Sequence, residues 1–164
     1  MLFATMGRTT RSRSGGATMT SPVDLPELPE LPDGGLPGLF EGTVPPGVYR
    51  CESVGPDVLM QADAANWTGA VIDLSDVTDK AEFMNRCATG LELPGWFGHN
   101  WDALADSLTD LSWWGETDGY LLMTAGWPAF ELADPTSAAT AVNVFTAAVG
   151  YWAVRDAPLS VLLG

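Results

Sequence analysis

From about residue 48 onward, apolar residues recur in two rhythms, and together they lay out alternating strands and helices. Val48-Tyr49-Arg50-Cys51, following Pro45-Pro46-Gly47, reads as a short strand, and Asp57 to Asn66 reads as a short helix. Gly69-Ala70-Val71-Ile72-Asp73-Leu74 is a compact apolar run suited to a buried strand. Asp79 then stands where a helix cap is wanted, with Phe83, Met84 and Cys87 on one side of the helix it would start. Leu93-Pro94-Gly95 interrupts the pattern, and from Asn100 to about Thr109 the residues Trp101, Leu104 and Leu108 return at helical spacing. A strand at Tyr120-Leu121-Leu122-Met123, a short helix near Trp127 to Leu132, a long helix from about Thr136 to Trp152 and a closing strand from Leu159 to Leu163 complete the series. A parallel crossover needs a connection of helix length, so this alternation predicts an α/β fold, a small parallel sheet packed by helices. The Val48 strand and the helix after it form an N-terminal extension to that unit.

The first part of the chain breaks both rhythms. Residues 1–40 are rich in Ser, Thr, Gly and Pro, and the stretch Pro26-Glu27-Leu28-Pro29-Glu30-Leu31-Pro32 repeats proline every third residue. Proline removes an amide donor and fixes φ, so this stretch is expected to form neither helix nor sheet ladder. It reads as a disordered leader before a domain spanning 41–164, with no role assigned to it. Gly34, Gly35 and Gly38 follow no predicted strand and make no phosphate loop.

Charge narrows the partners. Lys and Arg total 7 against 21 Asp and Glu, a net charge of −14, and beyond residue 40 only Arg50, Lys80, Arg86 and Arg155 offset the carboxylates. Such a surface repels phosphate backbones, which disfavours direct nucleic-acid binding and favours a basic protein partner. Cys51 and Cys87 match neither a CxxC pair nor a ligand pattern with the lone His99, and both read as reduced core thiols. No metal or cofactor is expected. Arg8, Arg11 and Arg13 precede no apolar stretch long enough for a secretory signal, and no run reaches membrane-spanning length, so a cytoplasmic address with no membrane partner is expected, with Met6 and Met19 as alternative starts.

The informative segment is Leu93 to Thr109, a glycine-bounded aromatic loop running into a helix. With Asn100 as N-cap, Asp102, Asp106 and Thr109 share one helix face at i, i+4 and i+7, opposite the apolar face. A carboxylate at 102 is stabilised by the free amides of the first turn and needs no partner to explain it. Asp106 lies past that turn, four residues from a like charge, with no cation nearby in sequence. Taken alone the pair fits a solvated face. Trp96 and Phe97, however, immediately precede it, and two such rings in a loop bounded by Pro94, Gly95 and Gly98 are not both easily placed in a core. A ring beside aligned acids suits a concave basic partner, with the acids pairing Arg and Lys as phosphates would. His99 stays open among general base, metal ligand, interface contact and locally packed ring; an active site or metal site would want further convergent groups.

The pattern Trp96-Phe97-Gly98-x-Asn100-x-Asp102-Ala103-Leu104-x-Asp106-x-Leu108-Thr109 resembles the signature of the barstar family. The likeness extends more loosely over about residues 67–163 and leaves the leader and the extension outside it. It implies a barstar-like sheet of three parallel strands, enlarged here by the Val48 strand, and no catalysis. It also implies a function: the helix and its preceding loop block the cationic active site of a ribonuclease, barnase-like or a related microbial enzyme, with the inhibitor monomeric when free. By position the partner-binding residues are Trp96, Gly98, His99, Asn100, Asp102, Ala105, Asp106 and Thr109. Asp106 matches the acid that fills the phosphate-binding position. Three positions depart from the best-known member: Ala105 replaces an aromatic, Asp110 a glycine, and Ala147 an acid on the last helix. These departures keep a second expectation open, a protein-binding or immunity module whose basic partner is not a ribonuclease.

Overall fold

The computed structural model describes residues 28–32, 35–52 and 57–164. In chain order it contains α1 (Gly35–Glu41), β1 (Val48–Arg50), α2 (Val58–Ala64), β2 (Thr68–Asp73), α3 (Lys80–Gly90), α4 (Trp101–Leu108), a single 3₁₀ turn (Ser112–Trp114), β3 (Tyr120–Ala125), α5 (Trp127–Ala133), α6 (Pro135–Ala153) and β4 (Leu159–Leu163). The strands form one sheet in the order β1-β4-β3-β2, every pair parallel. The α/β expectation therefore holds, with the Val48 strand on the outer edge against β4.

The register explains why the central strands are apolar apart from the buried Thr124 and Ser160. Ala70 faces Leu122 across β2 and β3, and Leu122 faces Val161 across β3 and β4. Alternate residues of β3 point to opposite sides: Tyr120 and Leu122 join one buried cluster, Leu121 and Met123 the other. The larger cluster takes Phe83, Met84 and Cys87 from α3, Leu104 and Leu108 from α4, Trp127 and Phe130 from α5, and Phe145 from α6. The smaller takes Leu39 from α1 and Val58 and Ala62 from α2. With both faces covered, the strands carry no solvent side and lose the polar alternation of a half-buried sheet. The extension thus supplies a third layer rather than an appendage.

Helix starts follow local chemistry. Asp79 accepts from the Glu82 amide at 2.9 Å and caps α3, and Asp134 accepts from the Ser137 amide at 3.1 Å and caps α6. The long α6 has Pro135 at its first position, where a missing amide hydrogen costs nothing.

Two expectations are corrected. The leader does not run to residue 40 without structure, because Gly35–Glu41 form α1, and residues 28–32 lie along β1. Arg50 donates its amide to the Pro29 carbonyl at 2.8 Å, and the Leu31 amide donates to the Arg50 carbonyl at 2.9 Å. Proline lacks only its own donor, so at a sheet edge the carbonyl of Pro29 and the amide of Leu31 remain free to pair. Helix α1 forms because Leu36, Leu39 and Phe40 cover the apolar face of the sheet. Residues 1–27 of the leader lie outside the described residues. The second correction concerns the thiols: Cys87 is fully buried and free, but Cys51 is only half-buried at the margin of the smaller cluster. Burial pushes both thiols above their ordinary range.

Among the described residues, no helix is long and apolar enough to cross a membrane.

Candidate functional site

The loop between α3 and α4 is organised by the burial of one aromatic and the exposure of the next. The Phe97 amide donates to the Pro94 carbonyl at 3.0 Å, closing a turn. That turn sends Phe97 into the core at 5% exposure and leaves Trp96 outside at 66%. The sequence argument that both rings would not be core is met in this way.

Gly98 follows, and a Cβ there would press to 3.0 Å on the Asn100 side-chain amide. The absence of a side chain at 98 lets the loop lie against the helix start. His99 takes the left-handed region at φ 55°, which is uncommon outside glycine. Its Nδ1 lies 3.1 Å from the Phe97 carbonyl, and its ring packs on Phe97 with centroids 4.8 Å apart. The imidazole is therefore an exposed ring held by its own loop, one of the readings the sequence left open. Among the described residues, no three His, Cys, Asp or Glu side chains converge as a metal site would require.

Asn100 is the N-cap. Its Oδ1 accepts from the Ala103 amide at 2.8 Å, and its Nδ2 donates to the Gly98 carbonyl at 3.2 Å. One side chain thus fixes both the helix start and the loop that carries Trp96.

Helix α4 divides sharply. Leu104, Ser107 and Leu108 are buried, while Asp102 and Asp106 are exposed and Ala105 and Thr109 half-exposed on the other side. Thr109 turns its hydroxyl back to the Ala105 carbonyl at 3.1 Å, closing the last turn. Trp101 is only half-buried rather than core: its ring lies 5.7 Å from that of Phe83, with the Lys80 ammonium 5.8 Å from the ring centre. Ser107 Oγ is buried without a hydrogen-bond partner among the described residues.

Beside its buried leucines, the helix is held by an indole distant in sequence. Trp152, near the end of α6, donates its Nε1 to the Leu108 carbonyl at 2.7 Å. That carbonyl is one of those a helix C-terminus leaves without an internal partner. The Trp152 ring also packs on Tyr120 at 4.9 Å, so α4, α6 and the central strand share one anchor. The signal was an aromatic in the last turn of the long helix, but only the tertiary fold shows which carbonyl it reaches. Leu111, just past α4, is buried with φ 53°. A branched side chain in that region is strained by about 1–2 kcal/mol, and here the burial of the leucine opposes that strain.

The eight positions expected from the sequence to contact a partner form one continuous stretch from Trp96 through the loop and along α4. They expose an indole, two carboxylates and an imidazole, and no cation lies within the stretch.

A four-stranded parallel sheet with helices on both faces, presenting an acidic helix behind an aromatic loop, defines a three-layer α/β domain with one exposed acidic face. The family model described as Barstar (barnase inhibitor) matches residues 67–164, more than half of the chain. The chain belongs to the barstar family. No curated protein matches it.

Proposed function

We propose that this protein inhibits a ribonuclease by seating the 96–100 loop and the exposed face of α4 in the cationic active site of the enzyme. Trp96, Gly98, His99, Asn100, Asp102, Ala105, Asp106 and Thr109 are the contact residues in this reading. The observation that carries it is the division of α4: Leu104 and Leu108 anchor the helix while Asp102 and Asp106 stand in solvent behind an indole that is 66% exposed. An exposed tryptophan beside aligned acids supplies a partner with contact area at little loss of side-chain freedom.

In this mechanism the net charge of −14 steers a basic enzyme toward the site, so association slows as salt rises. Trp96 then excludes water from the rim, and Asp106 takes the phosphate position, paired with Arg or Lys of the enzyme. Charge steering and the dominance of a single buried acid are known behaviours of this very family and come to this chain with the reading. The protein acts in the cytoplasm as a monomer and carries out no catalysis.

The test is titration of the full chain into a panel of basic microbial ribonucleases, with and without Asp106→Ala. Inhibition by the parent, weakened by the substitution through faster dissociation, is expected. If the parent inhibits and the variant inhibits equally well, Asp106 does not hold the phosphate position.

One observation favours a second reading. Ala147 is exposed on α6, where the best-known relative carries an acid. The acid that the family offers at this position has no counterpart here, which fits a basic partner other than a ribonuclease. Recovery of a non-nuclease protein on α4, abolished by Asp102→Lys, would support this alternative.

A further inference from the structure

The two outer edges of the sheet are treated differently. Beside β1, residues 28–32 supply a short proline-bearing segment that pairs with Arg50, the kind of edge protection that keeps other strands away. Beside β2 no described strand lies.

The polar groups at that open edge can be assigned by parity. The Thr68 amide bonds to the Gly119 carbonyl and the Leu74 amide to the Ala125 carbonyl, both toward β3. Main-chain groups alternate along a parallel strand, so Gly69, Val71 and Asp73 direct theirs outward. Two of these are closed to a new strand, one by a hydrogen bond and one by packing. The Asp73 carbonyl accepts from Arg86 Nη1 at 2.6 Å, and the Val71 carbonyl is sealed by Gly90, where a Cβ would stand only 2.5 Å away. The Asp73 amide has no hydrogen-bond partner among the described residues, and neither do the amide and carbonyl of Gly69 and the amide of Val71. The last three groups face a cavity of about 540 Å³ bordered by Leu59, Glu92, Trp113 and Trp114, and Asp73 lies outside it.

We propose that this cleft takes an extended, arginine-bearing peptide of another protein, added to β2 as a further parallel or antiparallel strand. The main chain of the peptide would satisfy Gly69 and Val71, which is how strand addition obtains its affinity. Arginine follows from the walls: Glu92 is the one charged residue among those lining the cleft, and the two indoles, with centroids 6.3 Å apart, offer faces for a guanidinium. A second copy of this chain fits poorly. The β2 edge is recessed between Leu59 of α2 on one side and Trp113 on the other, so two such edges would meet walls first, and a charge of −14 on each copy opposes their approach. None of the residues proposed to bind a ribonuclease is used.

The full chain is tested with two capped hexapeptides, one alternating arginine with valine and the other glutamate with valine, while amide exchange is followed by NMR. The arginine peptide is expected to bind saturably and slow exchange at Gly69 and Val71, and its version N-methylated at alternate residues to lose that protection. Glu92→Lys, at an exposed position, is expected to weaken binding at least about 3-fold while leaving the fold intact. The proposal is overturned if neither amide is protected at millimolar arginine peptide, if the glutamate peptide protects them equally, or if N-methylation changes nothing. Protection of the same amides in the free protein would also overturn it, in favour of self-association where it depends on concentration with dimer formation, and in favour of the chain's own arginine-bearing residues 1–27 where it is independent of concentration and is lost when they are removed.

Discussion

Arg50 and Glu131 form a two-pronged ion pair, with Nη1 to Oε1 at 3.2 Å and Nη2 to Oε2 at 2.9 Å. The pair joins β1, in the N-terminal extension, to α5, in the family core, and the hydrogen bond to that carboxylate is the chief influence raising the guanidinium pKa above its ordinary value. Arg50 also ties residues 28–32 to the sheet through its main chain. Its side chain and backbone together fasten the extension at the edge of the fold.

Arg50→Ala is therefore expected to destabilise the protein by about 1 kcal/mol, since the pair is two-pronged and part-buried. Urea unfolding measures this. Arg50→Ala and Glu131→Gln should be strongly non-additive, and simple additivity would show that the two side chains act independently.

Trp96 and Phe97 should give opposite results despite being neighbours. Trp96→Ala removes an exposed ring and is expected to leave the unfolding midpoint nearly unchanged while weakening partner binding by at least about tenfold, as a hot-spot aromatic does. Phe97→Ala empties a core position and is expected to cost about 3–5 kcal/mol. Calorimetry and inhibition measured on the same two variants check both halves, and a large stability loss in the Trp96 variant would show that the indole packs on its own protein.

Why this loop was readable from sequence, and its support was not, has a physical reason. Asn100, Asp102 and the leucines of α4 obey local rules of capping and periodicity, so the helix was placed to within a residue of Trp101–Leu108. The strand at Tyr120 is legible because burial on both faces leaves an uninterrupted apolar run, and the one at Gly69 because Ala70 and Ile72 are buried within a short apolar run. The contacts of Trp152 with Leu108 and of Arg50 with Glu131 span 44 and 81 residues, and no local pattern records such pairings. Helix α1 escaped notice because Gly35, Pro37 and Gly38 are poor helix formers, and only the apolar sheet face beneath Leu39 and Phe40 repays them.

Asn100 makes a structural contribution separable from any contact with a partner. Asn100→Ala removes the acceptor for the Ala103 amide and the donor to Gly98, and is expected to cost about 1 kcal/mol of stability together with some binding. Asn100→Asp keeps the cap acceptor and should recover most of the stability. Binding that stays weak in the aspartate variant, with stability restored, would identify the lost Nδ2 donor as the group the partner or the loop requires.

The buried Cys87 thiol should make stability depend on alkaline pH. Burial raises its folded pKa well above the ordinary thiol value, and burial acts in the same direction on Cys51, Tyr49 and Tyr120. A group whose folded pKa is raised contributes fully below its unfolded pKa, near 8.5 for cysteine, and loses that contribution as pH rises further. The unfolded chain then releases a proton that the folded chain keeps, and stability falls by up to about 1.4 kcal/mol per pH unit for this one group. In Cys87→Ala, urea unfolding between pH 7.5 and 10 should show a shallower decline than in the parent under reducing conditions. The gap between the two proteins should be constant below pH 8 and should close above it. Parallel curves across the whole range would mean that the Cys87 thiol ionises as readily in the folded protein as in the unfolded one, contrary to its complete burial beneath α3.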